Sequence, residues 1–288
     1  MSEKQYFLFA NPNKPKTISA VRDVAKLLLE RKCRVLLDQW LYDLLLLGES
    51  CALHDLTSQT NAIISLGGDG TLLRTLPYAA QKQIPVLGVN LGHAGFLLEI
   101  GPEDLTPAID RLVDGDWETE ERMMLRCVIN SDFSALAANE VALTRGQSPG
   151  SLIVDAFAGE ELIFSIHGDG VLVSTPTGTT GYALSAGGPV IDPSLECLTI
   201  VPICSHIMHQ RPVVLPPDRI VRLIVRTNKG KPHQISIDGQ IVLDLKTDTQ
   251  VLVHTAREKA RFIRFGPSQF ITRLQQKQTQ YEDHISEE

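Results

Sequence analysis

Apolar positions in the first hundred residues follow two spacings that alternate along the chain. Short apolar runs, several of them rich in β-branched residues, predict buried strands. Between them, apolar residues such as Val21, Val24 and Leu28 recur three or four positions apart, and this spacing predicts helices. The predicted strands are residues 5–10, 34–37, 61–66 and 84–90, and the predicted helices are 18–32, 72–80 and 102–111. Alternating strands and helices predict an α/β layer with a parallel sheet.

The pattern changes in the second part of the chain, where short apolar runs separated by turn residues predict a β-rich region. The predicted strands are residues 122–130, 138–144, 151–158, 161–166, 171–174, 198–201, 219–225, 234–237, 249–254 and 257–265. A short helix is predicted at 180–186 and a longer one at 268–280. We therefore expect an α/β domain at 1–115, a β-rich domain at 116–265, and a tail at 266–288 that packs back on the first domain.

Composition agrees with a globular protein of this design. Of the 288 residues, 43% are hydrophobic and 21% are charged, which is typical of soluble domains. A chain of this length can bury a sizeable core without disulfides or metals. The formal net charge of −7 argues against nucleic acid as a partner, because nucleic-acid-binding proteins present basic surfaces. It does not argue against an anionic small ligand, since backbone dipoles and a bound cation can make a pocket locally positive.

The cysteines and the apolar segments indicate a cytoplasmic location. The chain has five cysteines, an odd number, and no pair has C-x-x-C spacing, so we expect reduced thiols and no zinc site. The apolar run at residues 6–10 is too short for the core of a signal peptide, and the run at 41–47 is too short to span a membrane. No membrane partner is therefore expected.

A glycine-rich turn follows the predicted strand at residues 61–66. The turn reads Gly-Gly-Asp-Gly-Thr at 67–71, and a helical pattern follows it. A turn between the carboxyl end of a strand and the start of a helix presents free backbone N–H groups to anions such as phosphate. Asp69 inside this turn fits two roles: it can accept the proton of a hydroxyl that receives a phosphoryl group, or it can cap the next helix.

Residues 174–189 are dense in glycine and small hydroxyl residues, and apolar runs flank them. Small residues let a ligand approach the backbone, hydroxyls offer donors and acceptors, and Tyr182 can stack on another ring. An ordinary loop between strands would also tolerate this composition. The length of the run favours a ligand-binding segment over such a loop.

Four weaker signals carry open alternatives. Asn139 and Glu140 are adjacent, so they can share a ligand only at a bend or strand end, and taken alone a polar strand start is the simpler explanation. Taken alone, residues 167–170 and the Asp-Gly pair at 238–239 each read first as hairpin turns. His206 and His209 lie three apart without an evident third ligand, which favours structural roles over a metal site.

Several familiar motifs are absent from the sequence. It has no G-x-S-x-G elbow, no catalytic cysteine signature and no Walker motif. No strand is followed by G-x-G-x-x-G, which disfavours a hydride-transfer enzyme of the usual dinucleotide-binding type.

The combination of motifs resembles the NAD kinases. It comprises residues 67–71, the run Gly-Val-Asn-Leu-Gly-His-Ala-Gly-Phe-Leu at 88–97, Asn139 with Glu140, and residues 168–170 with 174–189, in this order and spacing. Segments 202–206, 211–214 and 238–240 are similar to family segments too. The resemblance implies an α/β amino-terminal domain, a β-rich NAD-binding domain and a cleft between them. It also implies transfer of the terminal phosphoryl group of ATP to the 2′-hydroxyl of the adenosine ribose of NAD, with Mg²⁺ and a homodimer or homotetramer.

The resemblance also assigns roles to individual residues. Asp69 would be the general base, with the turn around it approaching the phosphates. Asn139 and Glu140 would hold the ribose, and Tyr182 would lie near the adenine. The full set of binding candidates is Gly67, Gly68, Asp69, Gly70, Thr71, Arg74, Asn90, Phe96, Asn139, Glu140, His167, Asp169, Thr177, Thr180, Gly181, Tyr182, Ser185 and Gln240, of which Arg74, His167 and Gln240 match looser family positions. No residue is predicted to bind a metal directly.

Several positions depart from the family pattern. Thr179 stands where the family usually has serine and keeps the hydroxyl, and Gly181 stands where it usually has alanine. His93 replaces the frequent asparagine or arginine, Ser205 replaces the usual proline, and the segment 207–210 beyond it is unusual for the family. Two alternative functions follow from weaker readings of the same motifs. One is a lipid or small-diol kinase, which would not need the segment at 174–189. The other is a non-catalytic regulator that binds NAD(H), against which the complete turn around Asp69 argues.

Overall fold

The computed structural model describes residues 3–11, 16–92, 95–147, 150–227 and 233–286. The chain forms two compact units. Unit 1 contains residues 1–121 and 260–288, and unit 2 contains residues 122–259. The sequence had placed residues 116–121 and 260–265 with the second domain, whereas the units place them with the first.

Unit 1 is built on a parallel sheet. Its strands are β1 (Gln5–Ala10), β2 (Arg34–Leu37), β3 (Glu49–Ser50), β4 (Ala62–Gly67) and β5 (Val86–Asn90), in the spatial order β5-β4-β1-β2-β3. Its first five helices are α1 (Lys16–Glu30), α2 (Gln39–Leu45), α3 (Asp69–Leu73), α4 (Leu76–Lys82) and α5 (Leu105–Asp114). The predicted apolar stripe of α1, Val21, Val24 and Leu28, is completely buried in the core of this layer. The parallel α/β layer is therefore confirmed.

The predicted single helix at 72–80 is wrong, because the structure has two. Helix α3 ends at Leu73 and α4 begins at Leu76. Pro77 explains the break, since it has no N–H to donate to the Leu73 carbonyl and its ring would collide with that carbonyl in a continuous helix. The Thr75 hydroxyl and N–H both donate to the Leu72 carbonyl instead, at 2.7 and 2.9 Å.

Unit 2 is built from antiparallel strands. They are β6 (Glu118–Ile129), β7 (Phe133–Ala137), β8 (Glu140–Thr144), β9 (Leu152–Ala158), β10 (Glu161–Gly168), β11 (Gly170–Ser174), β12 (Leu198–Ile203), β13 (Val213–Leu215), β14 (Val221–Thr227), β15 (His233–Ile237), β16 (Ile241–Leu245) and β17 (Gln250–Arg264). One sheet within the unit has the order β10-β9-β14-β17, with β6 pairing β17 and β7, and the other has the order β13-β12-β11-β8-β15-β16. Alternate residues of β9 are buried, as expected for a strand with one face on the core.

Two predicted details of unit 2 are wrong. Residues 167–170 form no hairpin: β10 pairs with β9, while β11 pairs with β8 and β12 in the other sheet, so the glycines carry the chain from one sheet to the other. Gly168 is needed at this passage because a Cβ there would lie 2.6 Å from the Cys204 carbonyl oxygen. The two strands predicted at 249–254 and 257–265 are the single strand β17.

The hairpin turn at 238–239 is confirmed. It joins β15 to β16, with Asp238 at φ +49° and Gly239 at φ +66°, and the Gln240 N–H closes it on the Ile237 carbonyl at 2.9 Å.

Short helical turns follow β11, as a 3₁₀ turn at Thr177–Thr180 and α6 (Tyr182–Ser185), where the sequence predicted a helix at 180–186. The end of β17 then returns the chain to unit 1, where Phe262 pairs with Val86 of β5, and α7 (Phe270–Ser286) follows. None of the helices within the described residues is long and apolar enough to cross a membrane.

Candidate active site

The glycine turn at 67–71 lies at the carboxyl edge of the unit 1 sheet, as predicted. Gly67 has φ +156°, and a Cβ there would lie 2.6 Å from the Thr71 hydroxyl oxygen, so only glycine fits. A Cβ at Gly68 or Gly70 would meet no described atom within 4 Å. The backbone of these two glycines is therefore open to a ligand.

The carboxylate of Asp69 does not cap helix α3. Gly68 is the N-cap residue of that helix, and the helix has no side-chain capping hydrogen bond. Instead, the two Asp69 oxygens accept the N–H groups of Phe96 and Leu97, at 2.8 and 3.2 Å. Gly95 allows this approach, because a Cβ there would lie 2.2 Å from Asp69 Oδ1. The capping alternative is thus wrong, and the carboxylate is held by a segment that follows β5.

Three other candidates of unit 1 lie around this turn. Asn90 ends β5, and its side-chain oxygen accepts the Gly92 N–H at 3.0 Å. The Phe96 ring packs 6.2 Å from the Phe270 ring of α7, so its backbone rather than its ring contacts Asp69. Arg74 is exposed, with its guanidinium 5.6 Å from the Phe9 ring centroid. His93 lies outside the described residues.

In unit 2, Asn139 and Glu140 lie at the start of β8, the position at which adjacent residues can share a ligand. The Asp238 carboxylate fixes this position by accepting the N–H groups of Ala138, Asn139 and Glu140 at 2.7, 2.8 and 3.0 Å. The Asp238 N–H donates back to the Glu140 carbonyl at 3.0 Å. Asp238 therefore holds in place the backbone of the two candidate binding residues, Asn139 and Glu140.

Two side-chain oxygens at this point are buried without a hydrogen-bond partner among the described residues, Asn139 Oδ1 and Glu140 Oε2. Burial, and secondarily the neighbouring Asp238 carboxylate, raises the pKa of Glu140 to about 8. Glu140 is therefore mainly protonated at neutral pH. Buried polar atoms without hydrogen-bond partners are rare in proteins. Where other polar groups lie beside them, such atoms indicate a ligand-binding site.

The segment after β11 is joined to the same backbone. The Thr175 N–H donates to the Asn139 carbonyl at 2.8 Å, and the Thr175 hydroxyl donates to the Ala138 carbonyl at 2.6 Å and accepts the Gly178 N–H at 3.0 Å. A Cβ at Gly178 would lie 2.2 Å from the Asn139 carbonyl oxygen. Thr177 is buried, and its carbonyl accepts the Thr180 hydroxyl at 3.2 Å. This segment is thus a fixed part of the site rather than an ordinary loop.

Gly181 lies directly against the two unpartnered side chains. A Cβ at Gly181 would lie 3.8 Å from Asn139 Nδ2 and from Glu140 Oε2, and 3.3 Å from the Gly178 carbonyl oxygen. Tyr182 next to it is 41% exposed, and burial, followed by the nearby acidic groups of Cys204, Asp169 and Glu140, raises its pKa. The structure therefore brings Tyr182 close to Glu140 and Asp169.

The remaining candidates of unit 2 have other partners. Asp169 accepts Arg145 Nε at 2.7 Å, and His167 Nε2 lies 2.5 Å from the Ser151 hydroxyl. Ser185 and Gln240 are exposed.

The departure at Ser205 has a local explanation. Its hydroxyl donates to Gln210 Oε1 at 2.5 Å and accepts the Ile207 N–H at 3.2 Å, while the Gln210 side-chain amide donates to the Ser165 carbonyl at 2.7 Å. The unusual segment 207–210 is therefore fixed through Ser205.

Sequence reasoning missed several residues of the site. The sequence predicts Asp238 as part of a turn and of a segment similar to the family, but not its role, because the contact it makes spans about a hundred positions. Glu99, Arg264 and Arg273, which surround the segment that holds Asp69, were not predicted at all. A signal was present for Arg264, since it is a charge within the apolar run 262–265.

An aspartate in an open glycine turn, at the carboxyl edge of a parallel sheet, fits a phosphotransferase that acts on a small molecule. Residues 7–117 match the ATP-NAD kinase N-terminal domain, and residues 138–265 match the ATP-NAD kinase C-terminal domain. The chain belongs to the NAD kinase family, and it is a kinase that acts on NAD.

Curated relatives and solved structures agree with this assignment. The chain is 39% identical to the NAD kinase of Heliobacterium modesticaldum over 94% of this chain and 96% of the relative, and 35% identical to that of Moorella thermoacetica over 94% and 88%. A yeast NADH kinase complexed with NADH has the same fold, with a TM-score of 0.87, 24% identity, and coverage of 95% and 86% of the two chains. An NAD kinase from Archaeoglobus fulgidus in complex with ATP gives a TM-score of 0.75 at 25% identity, covering 92% and 95%.

Proposed function

We propose that this chain transfers the terminal phosphoryl group of ATP to the 2′-hydroxyl of the adenosine ribose of NAD, giving NADP, with Asn139 and Glu140 holding that ribose. The observation that carries the proposal is the pair of buried, unpartnered oxygens, Asn139 Oδ1 and Glu140 Oε2. A ribose diol supplies hydroxyl donors that would satisfy both. A protonated Glu140 can also donate a hydrogen bond to a ribose oxygen.

Asp69 is the proposed general base. Each of its oxygens accepts one backbone N–H within the described residues, and a carboxylate offers about four acceptor positions in all. Lone pairs therefore remain for the acceptor hydroxyl. Because the transition state of phosphoryl transfer is loose, positioning and charge neutralisation outweigh base strength. We assign to Asp69 a contribution of about 10²- to 10⁴-fold in rate.

The glycine turn is the proposed contact of the donor phosphates. The open backbone at Gly68 and Gly70 supports this role, because nothing nearby would collide with phosphate oxygens. Among the described residues, no group of three or more His, Cys, Asp or Glu side chains could hold a metal ion. Mg²⁺ would enter with ATP, where it would neutralise charge on the donor phosphates.

Tyr182 is the proposed neighbour of the adenine, because it is a half-exposed ring beside Glu140 and Asp169. Gly181, Thr180 and Ser185 would line the same pocket. Thr177 would act through the backbone it fixes, since its side chain is buried. For Arg74, Asn90, Phe96, His167 and Gln240 the proposal is limited to contacts at the edge of the bound substrates.

We further propose a homodimer or homotetramer that acts in the cytoplasm. The support for an assembly is the family resemblance, which implies a homodimer or homotetramer. The five cysteines are all unpaired, which supports a reducing compartment.

The test is a donor-by-acceptor assay on the purified chain, analysed together with a sizing column. NAD or NADH is incubated with Mg²⁺ and either ATP or polyphosphate, and NADP or NADPH is detected enzymatically. We expect NADP from NAD and ATP. Absence of product with every donor, despite NAD binding by titration, would instead establish a non-catalytic regulator, and phosphorylation of small diols in place of NAD would establish the diol kinase.

A further inference from the structure

The segment that holds Asp69 is itself held from its other side. This segment, residues 95–99, donates the Phe96 and Leu97 N–H groups to the Asp69 carboxylate. Its carbonyls face two arginines: Arg273 Nη1 of α7 donates to the Phe96 carbonyl at 3.0 Å, and Arg264 Nη1 of β17 donates to the Leu97 carbonyl at 3.2 Å. The backbone of two consecutive residues is therefore bonded on both sides.

One peptide group has a particular place in this arrangement. The Phe96 carbonyl and the Leu97 N–H belong to the same planar unit. Its oxygen accepts Arg273, and its N–H donates to Asp69 Oδ1. A rotation of this peptide would remove the N–H from Asp69 and turn the carbonyl oxygen towards the carboxylate. The hydrogen bond from Arg273 opposes that rotation, because it would be lost at the same time.

The two arginines are anchored by Glu99. Glu99 Oε2 lies 3.0 Å from Arg264 Nη1 and 3.6 Å from Arg273 Nη2, and Glu99 Oε1 accepts the Phe265 N–H at 2.9 Å. Arg264 Nε also contacts Glu120 Oε2 at 2.5 Å. The Glu99, Arg264 and Arg273 side chains are only 11%, 7% and 14% exposed. A buried ionic cluster of this kind contributes little net stability compared with apolar packing, so stability alone does not account for it.

Electrostatics connects Arg273 to the same carboxylate. Burial, followed by the charge of Arg264, lowers the pKa of Arg273, whereas Glu99 and Asp69 raise it. Arg273 is therefore close enough to Asp69 to interact with its charge, although the hydrogen bond it makes is to the intervening peptide.

We propose that Arg273 is a positioning residue for phosphoryl transfer, which fixes the 96–97 peptide and thereby orients the Asp69 carboxylate. The inference rests on the proposed role of Asp69 as the base. Helix α7, which supplies Arg273 and packs Phe270 against Phe96, is then part of the catalytic apparatus of unit 1.

The test compares Arg273→Met, Arg273→Lys and the control Arg31→Met in the full-length chain. Arg31 also bonds a carboxylate, Asp110, at 2.6 Å and a backbone carbonyl, Leu27, at 2.7 Å, but it does not touch the 95–99 segment. We expect Arg273→Met to lower kcat by about 10- to 100-fold, since misplacement of a reacting group by about 1 Å has effects of this size. The KM for NAD should change less than about threefold. Arg273→Lys should recover part of the loss, and Arg31→Met should behave as the parent chain.

A double-mutant cycle separates this role from general stability. In an Asp69→Asn background, Arg273→Met should lower kcat no further, because Arg273 acts through Asp69. An equal loss in both backgrounds, or an unchanged kcat in Arg273→Met, would overturn the proposal. If Asp69→Asn alone keeps normal turnover, the assignment of Asp69 as the base fails.

Hydrogen exchange gives a readout independent of turnover and of the proposed base. The Phe96 and Leu97 amides should exchange fastest in Arg273→Met and at an intermediate rate in Arg273→Lys, while the global stability of the folded variants stays similar to that of the parent chain. If Arg273→Met does not fold, Arg273→Lys alone is compared with the parent chain, and exchange at the parent rate in every folded variant would overturn the proposal.

Discussion

Two aspartates of this chain, Asp69 in unit 1 and Asp238 in unit 2, are bonded by backbone N–H groups, but they are used differently. Asp238 accepts three such groups from consecutive residues, and both of its oxygens are engaged in shaping the chain at Ala138, Asn139 and Glu140. Among the described residues, Asp69 accepts two, one on each oxygen, and it lies in a turn whose glycines are open to a ligand. The same chemical group, a carboxylate bonded by backbone N–H groups, is therefore a structural anchor in unit 2 and remains available to a ligand in unit 1.

The difference teaches how to separate a structural aspartate from a reactive one in a single structure. Proximity to a site does not separate them, because both aspartates adjoin candidate binding residues. The number of acceptor positions already filled does, since a carboxylate with three of about four positions filled by backbone N–H groups cannot take a proton from a substrate without weakening bonds that hold the fold. The following predictions test this contrast.

The largest effect is expected for Asp69→Asn. The amide cannot take the proton of the acceptor hydroxyl, so kcat should fall by about 10²- to 10⁴-fold. One of the two loop hydrogen bonds is lost as well, but the fold and NAD binding should persist. Steady-state kinetics, an NAD titration and a melting curve measure these quantities. Asp114→Asn, at an exposed position of unit 1, is the control, and near-normal turnover in Asp69→Asn would remove Asp69 from the base role.

Asp238→Asn should instead act on stability. An amide nitrogen would face a backbone N–H where an oxygen now accepts, which should lower the free energy of unfolding by about 3 kcal/mol. Binding of NAD should weaken because Asn139 and Glu140 lose their fixed position. Urea unfolding tests this, with Asp244→Asn as control, since that exposed aspartate accepts one side-chain bond from Gln234. A stable Asp238→Asn chain with an unchanged KM would contradict the anchor role.

Glu140→Gln should change how stability depends on pH. Burial raises the pKa of Glu140 from about 4.5 to about 8, so between these values the unfolded chain loses its proton while the folded chain keeps it. The free energy of unfolding of the parent chain must therefore fall as pH rises through this window. At about 1.4 kcal/mol per pKa unit, and allowing for the coupling to Asp238, the variant should gain about 2–3 kcal/mol over the parent chain between pH 5 and pH 8.

Urea unfolding of both chains at four pH values between 5 and 8 measures this gain. Glu161→Gln, an exposed glutamate of β10, is the control and should run parallel to the parent chain. Parallel curves for Glu140→Gln as well would show that Glu140 has an ordinary pKa.

The smallest effect is expected from a pair of glycines next to the Asp238 anchor. A methyl group at Gly178 would lie 2.2 Å from the Asn139 carbonyl oxygen, so Gly178→Ala should cost about 1–3 kcal/mol and raise the KM for NAD. At Gly181 the closest atom would lie 3.3 Å away, so Gly181→Ala should change stability by less than about 1 kcal/mol and the KM for NAD by less than about threefold. Melting curves and NAD titrations of the two variants measure these differences. Equal effects of the two substitutions would contradict the distances given above.

Much of the fold followed from local patterns. Strand β4 is a short apolar run bounded by a polar residue and glycines, and α1 has one apolar face, so burial alone determines both. Local patterns failed where a neighbour in space decides. Residues 167–170 resemble a hairpin turn, yet β11 pairs with β8, which lies about thirty positions earlier in the chain.

The sequence predicts the motifs of the candidate site but not the residues that hold those motifs in place. Asp69, Asn139, Glu140 and Tyr182 stand in distinctive segments, whereas the residues that hold them do not. Asp238 contacts residues about a hundred positions away, and Arg273 reaches the Phe96 carbonyl from α7. These contacts join a side chain to a backbone group. Because nearly every residue has the same backbone groups, the sequence does not show which of them is bonded.

The division of unit 1 between both ends of the chain has a consequence for its biosynthesis. The last strand segment of unit 1, in which Phe262 pairs with Val86, is translated only after all of unit 2. The same holds for Arg264 and Arg273. Because a nascent chain folds from its amino terminus, the Asp69 turn emerges from the ribosome long before Arg264 and Arg273. A polypeptide halted before residue 260 therefore carries the turn without the side chains that surround its supporting segment. With Arg273 in the proposed positioning role, such a polypeptide lacks a residue that orients the Asp69 carboxylate until translation has passed residue 273.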